Sequence, residues 1–475
     1  MRFRLVCAYL LALLAVLPVR SQQPPVPTGS GATWSLAAVG DAIITRRLAQ
    51  FDTDRDAGFE QMAKLIRDAD VAFLNLEISL FRLSEFKGWP EVETGGNWEL
   101  GPPEAAADLK ALGFDLFNRA NNHTADYGVE GMRMTTRLLD EIGIVHAGTG
   151  ETLGEASRPA YFETPKSRIA LIGLATTFTP MSRAGASRPD MRGRPGLNAL
   201  RIERKYQADP TTLELLRAAA TKFGRRPSAD PKAPVRFLGA VVEPGPETRV
   251  IETVNARDEE RILREVRNAS RQADFVIVTS HSHEPGNRSV VPPPWMVEFT
   301  KKCIDAGATT YIIHGPHQLR GIDIYKGRPI FYSLGNFIFQ NETIDPMPAD
   351  YYEKYGLPGT ALASDLYDAR FKNGTSGFPS SPVWYESVIA RPTFRGTELV
   401  GLTLHPIDLA QKAPRSQRGT PRLADPSTGR KIIERIAQQS AAFGTTIVYE
   451  NGVGVWRQPT KTSITPTSKD SARQE

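Results

Sequence analysis

Cysteine is almost missing from this chain, with Cys7 and Cys303 the only thiols in 475 residues. Cys7 lies in an N-terminal apolar run that reads as removable, so Cys303 would stand alone and no intramolecular disulfide is expected. The same scarcity argues against a structural zinc site built on thiolates. Apolar runs are short as well: the longest, Leu5 to Val16, falls below the roughly 20 residues a membrane helix needs. No dense Lys/Arg run with interleaved aromatics occurs, and 58 basic against 53 acidic residues leave a formal net charge of only +5. No nucleic-acid partner is expected from such a balance. Histidine is scarce too, at seven residues, which makes the placing of each one informative.

What the chain does have begins at its N-terminus. Arg2 and Arg4 precede the Leu5–Val16 run, and Val19 and Ser21 stand as small residues before a cut. That is the pattern of a cleaved export signal over residues 1–21. A Pro/Gly/Ser-rich leader over 22–33 follows. The expected location is therefore outside the cytoplasm, in the periplasm or associated with the cell envelope.

From residue 34 to 340, helices and buried strands alternate, the rhythm of a single α/β domain. Helices are predicted at Phe59 to Ala69, Pro103 to Leu112, Gly128 to Ile142, Thr211 to Phe223, Arg257 to Ala273 and Met296 to Ala306. Gly224 to Thr248 reads as an insertion or small hairpin. Residues 341–383 lack periodicity and read as an inserted loop or lid. Residues 384–458 read as a β-hairpin turning at Arg395-Gly396, a helix capped by Ser427 or Thr428, and a last strand, together completing the domain. The Thr/Ser/Pro-rich tail, 459–475, is expected to be disordered.

Five predicted strands end in polar groups. Ser35–Val39 stops at Gly40-Asp41, Val71–Leu74 at Asn75-Leu-Glu77, and Phe114–Ala120 at Asn121-Asn122-His123. Asp274–Thr279 stops at His281-Ser-His283, and Ala308–Ile313 at His314-Gly-Pro-His317. Five of the seven histidines fall in these stretches. Open α/β sheets gather ligands at the carboxyl ends of their strands. Asp41, Glu77, Asn122, His281 (with or without His283), His314 and His317 make an oxygen-and-nitrogen set suited to one or two divalent ions such as Mn, Zn or Fe. Two such ions assist hydrolysis, and His123 is placed to protonate a leaving group. In the Arg-rich loop from Thr176 to Asn198, Arg183, Arg188 and Arg194 are candidates to meet an anionic substrate.

Gly40-Asp41, Asn75-x-Glu77, Ala120-Asn-Asn-His123, His314-Gly-Pro-His317 and Tyr332-Ser-Leu-Gly-Asn-Phe337 together resemble the CapA family of capsule (poly-γ-glutamate) synthesis proteins. The resemblance covers Trp34 to Phe339, and Trp384–Gly452 resembles a subgroup. That family is similar in turn to the metallo-dependent phosphatases, which implies a four-layer α/β sandwich with a dimetal site. By this likeness Asp41 matches the first-strand aspartate, Glu77 the bridging carboxylate, Asn122 the carboxamide ligand and His281 a lone metal histidine. His314 and His317 match the closing pair. His123 matches the general acid, with Asn121 beside it on the catalytic side. Asn75, His283, Arg194 and Asn336 are carried as supporting or substrate-facing residues. The likeness departs at Ile43, where the phosphatase pattern places a histidine.

The resemblance implies a role in synthesis, export or anchoring of an envelope polymer, through a metal-dependent hydrolase-like site and with membrane-bound synthesis machinery as a possible partner. An extracytoplasmic metallophosphoesterase and a non-catalytic module binding an anionic polymer are the alternatives.

Overall fold

The strands with the most continuous apolar runs take the interior, because parallel strands covered on both faces can be apolar throughout. The computed structural model describes residues 33–48, 57–91, 96–226 and 228–457. The predicted signal, nearly all of the leader and the predicted disordered tail lie outside these described residues.

The strand Thr33–Ile43 runs parallel to Val71–Leu76, which continues to Leu116–Asn118 and Val145–Ala147. On its other edge, Thr33–Ile43 pairs antiparallel with Glu386–Arg395 up to Ala38, then parallel with Asn336–Phe339 from Asp41 onward. Glu386–Arg395 and Glu398–Asp408 form the expected hairpin, and Val453–Arg457 and Thr446–Glu450 extend it outward. The C-terminal strands thus join the first sheet. A second sheet runs in the order Ile322–Tyr325, Arg328–Phe331, Thr310–His314, Phe275–His281, Arg168–Ala175 and Ala160–Glu163.

The two sheets pack face to face. Leu36, Ala38, Phe73 and Leu116 of the first meet Leu171, Ile277, Ile312 and Phe331 of the second in one apolar cluster. Helices Ala57–Arg67, Glu104–Ala111 and Gly128–Glu141 cover the outer face of the first sheet through Met62, Ile66, Leu109 and Leu139. Helices Ala256–Ala269 and Pro294–Asp305 cover the second through Ile262, Val266, Phe299 and the buried thiol-bearing Cys303. The result is a four-layer α/β sandwich, helices outside two sheets.

Several expectations change in detail. The C-terminal helix, Pro426–Ala441, is capped by Asp425 rather than Ser427 or Thr428: the Asp425 carboxylate accepts from both of their backbone N–H groups, as a helix start requires. Gly224–Thr248 is part of a four-stranded sheet of Val235–Phe237, Ala240–Pro244, Ile202–Ala208 and Arg249–Val254, larger than a hairpin. The 341–383 stretch, read as an inserted loop or lid, holds helices Ala349–Lys354 and Ala363–Phe371. Tyr351, Leu366, Tyr367 and Phe371 of this cap bury themselves against Phe81, Trp98 and Tyr127.

Candidate metal centre

Register brings the site together. In the first sheet Asp41 stands opposite Asn75 on one side and Asn336 on the other. In the second, His281 stands opposite His314. Both sheets therefore present polar groups at the carboxyl ends of parallel strands, on one edge of the sandwich.

Gly40 makes the first of these positions possible. A Cβ there would lie 1.8 Å from the Gly335 carbonyl oxygen, while the next residue, Asp41, donates its N–H to that same carbonyl at 3.0 Å. Any side chain at residue 40 must push apart the two strands that carry Asp41 and Asn336. Gly40→Ala is therefore expected to cost metal affinity at least tenfold while the protein still folds, read by metal titration beside circular dichroism; unchanged affinity would contradict it.

Asp41 is fully buried. Its Oδ1 accepts from Asn75 Nδ2 at 2.8 Å and its Oδ2 from the Gly315 N–H at 2.9 Å. His314 Nδ1 lies 3.4 Å from Oδ1, and His317 Nδ1 lies 3.6 Å from Oδ2. Burial opposes ionisation of Asp41, yet the His281 contact and the neighbouring imidazoles outweigh it, and the carboxyl is held well below the usual range. Glu77, equally buried, has His281 Nε2 at 3.2 Å, His283 Nε2 at 3.9 Å and His317 Nδ1 at 3.9 Å. Neither of its oxygens accepts a well-formed hydrogen bond. An unsatisfied buried carboxylate is costly unless a cation completes it.

The histidines are aimed by neighbours outside the cluster. His283 Nδ1 lies 2.7 Å from Asn287 Oδ1, which directs its Nε2 toward Glu77, toward His281 Nε2 at 3.0 Å and toward Asn122 Oδ1 at 3.3 Å. His314 Nε2 lies 2.9 Å from Thr279 Oγ1, turning Nδ1 inward. Asn336 donates to the carbonyls of His317 and Trp384, so its Oδ1 faces His317 Nδ1 at 2.9 Å. Asn75 is held in turn by Asn118, whose Nδ2 donates to its Oδ1 at 2.8 Å. Such outer partners fix ring orientation at metal sites. Burial pushes His314 down to about 3 and His283 well below its ordinary value, so both are neutral and ligand-ready. Burial also works against charge on His281, but Glu77 and Asp41 overcome it and raise its pKa to about 10. The two carboxylates draw in positive charge.

Three overlapping triads have donor atoms within 4.8 Å of one another: Asp41, His281 and His314; Glu77, His281 and His283; Asp41, Glu77 and His317. The donor set and the orphaned Glu77 oxygens fit a divalent cation. Ile43, where the phosphatase pattern has a histidine, is buried in the apolar cluster with Phe117 and Phe337 and offers no ligand.

His123 stands beside the cluster at the start of the turn Asn122–Ala125, with Nδ1 2.7 Å from Asp126 Oδ2. Asn121, expected on the catalytic side, has its carboxamide engaged with backbone: Oδ1 accepts from the His123 N–H at 3.1 Å and Nδ2 donates to the Leu76 carbonyl at 2.7 Å. It positions the turn. Arg194 is exposed and donates to the Arg183 and Pro180 carbonyls of its own loop. Arg188 pairs with the exposed Asp190. Neither is brought to the cluster.

Sequence reasoning missed Asp126, Thr279, Asn287 and Asn118, which hold ligand-side groups by contacts no local pattern announces. It also missed Glu99, buried with its backbone N–H on Asp126 and its own carboxyl pushed up to about 7 by burial.

A family model described as bacterial capsule synthesis protein PGA_cap matches residues 35–341. An uncharacterized protein of Sinorhizobium fredii, y4sH, is 42% identical over 446 residues, covering 90% of this chain and 95% of that one. The capsule biosynthesis protein CapA of Bacillus anthracis is 24% identical over 318 residues, covering 66% of this chain and 62% of its own. Among solved structures, the NAD nucleotidase of Haemophilus influenzae aligns over 85% of this chain and 55% of its own, at 12% identity and a TM-score of 0.29.

Proposed function

The chain belongs to the bacterial capsule synthesis protein family, and from that premise we propose that it is exported and serves the synthesis, export or anchoring of a capsule or envelope polymer through a metal-dependent, hydrolase-like site. The observation that carries the metal-dependent part is the pair of buried Glu77 oxygens with no hydrogen-bond donor, set among His281, His283 and His317. Asp41, Glu77, His281, His283, His314, His317 and the Asn122 carboxamide would hold one or two ions. Bound there, a divalent ion supplies Lewis acidity toward the bond under attack.

The chain's own residues supply the rest. His123, fixed by Asp126, holds a proton for a leaving group. Asn121 keeps His123 in line by bonding its backbone N–H. The cap helices share one apolar cluster with Tyr127, which follows this turn in the chain. The relatives named for capsule biosynthesis point to a polymer substrate. Among the described residues no helix is long and apolar enough to cross a membrane, so a link to membrane-bound machinery would run through a partner or through segments outside the described residues.

Elemental analysis of purified protein tests this reading, wild type beside Asp41→Ala and His317→Ala. One or two equivalents of Mn, Zn or Fe in the wild type, reduced in both variants, is the expected result. Failure to bind metal after reconstitution would sink the hydrolase-like reading and leave polymer binding as the activity to assay.

A further inference from the structure

A cavity of about 590 Å³ adjoins the metal cluster, lined in part by Asn287, Arg288, Gln318, Arg370, Phe378 and Trp384, with no aspartate or glutamate among its lining residues. Residues that touch the cluster's histidines line it. Asn287 aims His283, Gln318 follows His317 in the chain, and the Phe378 ring stands edge-on to the His317 ring with centroids 5.4 Å apart. The cap helix Ala363–Phe371 and the 3-10 turns after it, which carry Phe378 and Trp384, supply much of the rest of its lining.

Two cations line this cavity, neither with a hydrogen bond or ion pair among the described residues, although the buried Glu99 carboxylate acts on Arg370 through space. Arg288 is exposed, and among the described residues it makes no hydrogen bond or ion pair. Arg370 is half-buried; its guanidinium lies 4.8 Å over the Phe371 ring and 5.6 Å from the Tyr351 ring, and its Nη1 is buried with no hydrogen-bond acceptor. Stacking of this kind fixes the plane of a guanidinium and leaves the N–H groups on its accessible edge to meet an oxyanion. Other arginines around the cap are held by carboxylates: Arg415 by Asp368, Arg418 by Glu342, Arg435 by Glu386. A pocket whose lining holds two arginines and no carboxylate, one arginine ordered by rings, carries a net positive field suited to a negative ligand.

We propose that Arg288 and Arg370 form a subsite that grips an oxyanion of the substrate, a carboxylate or a phosphate, beside the bond presented to the metal cluster. The subsite selects acidic chains over neutral ones, and Phe378 and Trp384 pack against the apolar part of the chain. This rests on the metal-dependent reading of the adjoining site, but its test does not.

The probes are tetraglutamate, tetraglutamine and inorganic phosphate, titrated calorimetrically into the full chain with and without metal. The variants are Arg288→Gln, Arg370→Gln and the charge-keeping Arg370→Lys. The wild type is expected to bind tetraglutamate well above tetraglutamine. Each Gln variant should lose about tenfold in affinity, the worth of one charge-assisted contact, with metal content unchanged and Arg370→Lys intermediate. Binding of phosphate alone, with the same arginine dependence, would assign the oxyanion as phosphate. Equal binding by wild type and both Gln variants, equal binding of the charged and neutral peptides, or no binding of any probe would overturn the subsite. Arginine-dependent binding by a chain that takes up no metal would keep the subsite and remove the hydrolase-like reading.

Discussion

Glu77→Gln is expected to abolish metal binding, and with it the stabilisation that metal confers. Glu77 belongs to two of the three donor triads, those completed by His281 with His283 and by Asp41 with His317. A carboxamide keeps the shape but removes the charge and turns an N–H donor toward the inward-facing imidazole nitrogens. A ligand held at a thousand times its Kd stabilises the folded state by about 4 kcal/mol. With about 2–4 °C of Tm per kcal/mol in domains of 150–250 residues, and about 1 °C per kcal/mol in a domain of this size, wild type should gain about 5 °C with saturating metal. The variant should gain almost nothing. In the metal-free protein two smaller terms oppose each other: the variant loses the His281 contact at 3.2 Å, and it no longer buries a carboxylate without donors. Each is about 1–3 kcal/mol, so the metal-free Tm should move little. Calorimetry with and without Mn or Zn checks this. A full metal-induced shift in the variant would show that Glu77 is not a ligand.

The site was legible where ligands follow buried strands. Phe275–His281 and Thr310–His314 are buried at every position, so each carries an apolar run, Phe275 to Val278 and Tyr311 to Ile313, and the histidines at their ends stand out. Their parallel register then places His281 opposite His314, which no sequence spacing could show because 33 residues separate them. Ile202–Ala208 was illegible for the opposite reason. Its residues Glu203 to Tyr206 are all exposed, and the strand is held by backbone pairing with Arg249–Val254 rather than by an apolar face that would mark it. The cap helix Ala363–Phe371 was missed because Leu366, Tyr367 and Phe371 bury themselves against Phe81, Trp98 and Tyr127 from distant parts of the chain, while the helix itself shows no regular apolar stripe. Arg183, Arg188 and Arg194 are conspicuous in sequence, whereas the cavity beside the cluster is lined by Arg288 and Arg370, brought together only when the cap folds.

His123→Asn carries the other large effect, and it separates chemistry from metal binding. Asp126 engages Nδ1 at 2.7 Å, which leaves Nε2 to carry a transferable proton. Burial works against the charged ring, but Asp126 first, then Glu99 and Glu77, overcome it and raise its pKa to about 9. The imidazolium is therefore the resident form near neutrality. A positioned general acid is worth about 10²- to 10⁴-fold in rate. Asparagine is chosen because its amide can still donate to Asp126, which is buried and also accepts the Glu99 N–H at 2.7 Å; alanine would leave that carboxylate short of a donor. The variant should keep the wild-type metal content and Tm within a few degrees. On two esters that differ only in the leaving group, it should lose about 10²-fold or more in kcat on the poor leaving group and far less on a nitrophenolate, which departs without a proton. A loss equal on both esters would make His123 a positioning residue for Asn122, whose Oδ1 lies 3.3 Å from His283 Nε2. Loss of metal together with activity would place it among the ligands' supports. The leaving-group dependence is the readout that only proton donation produces, because orientation of ligands affects both esters alike.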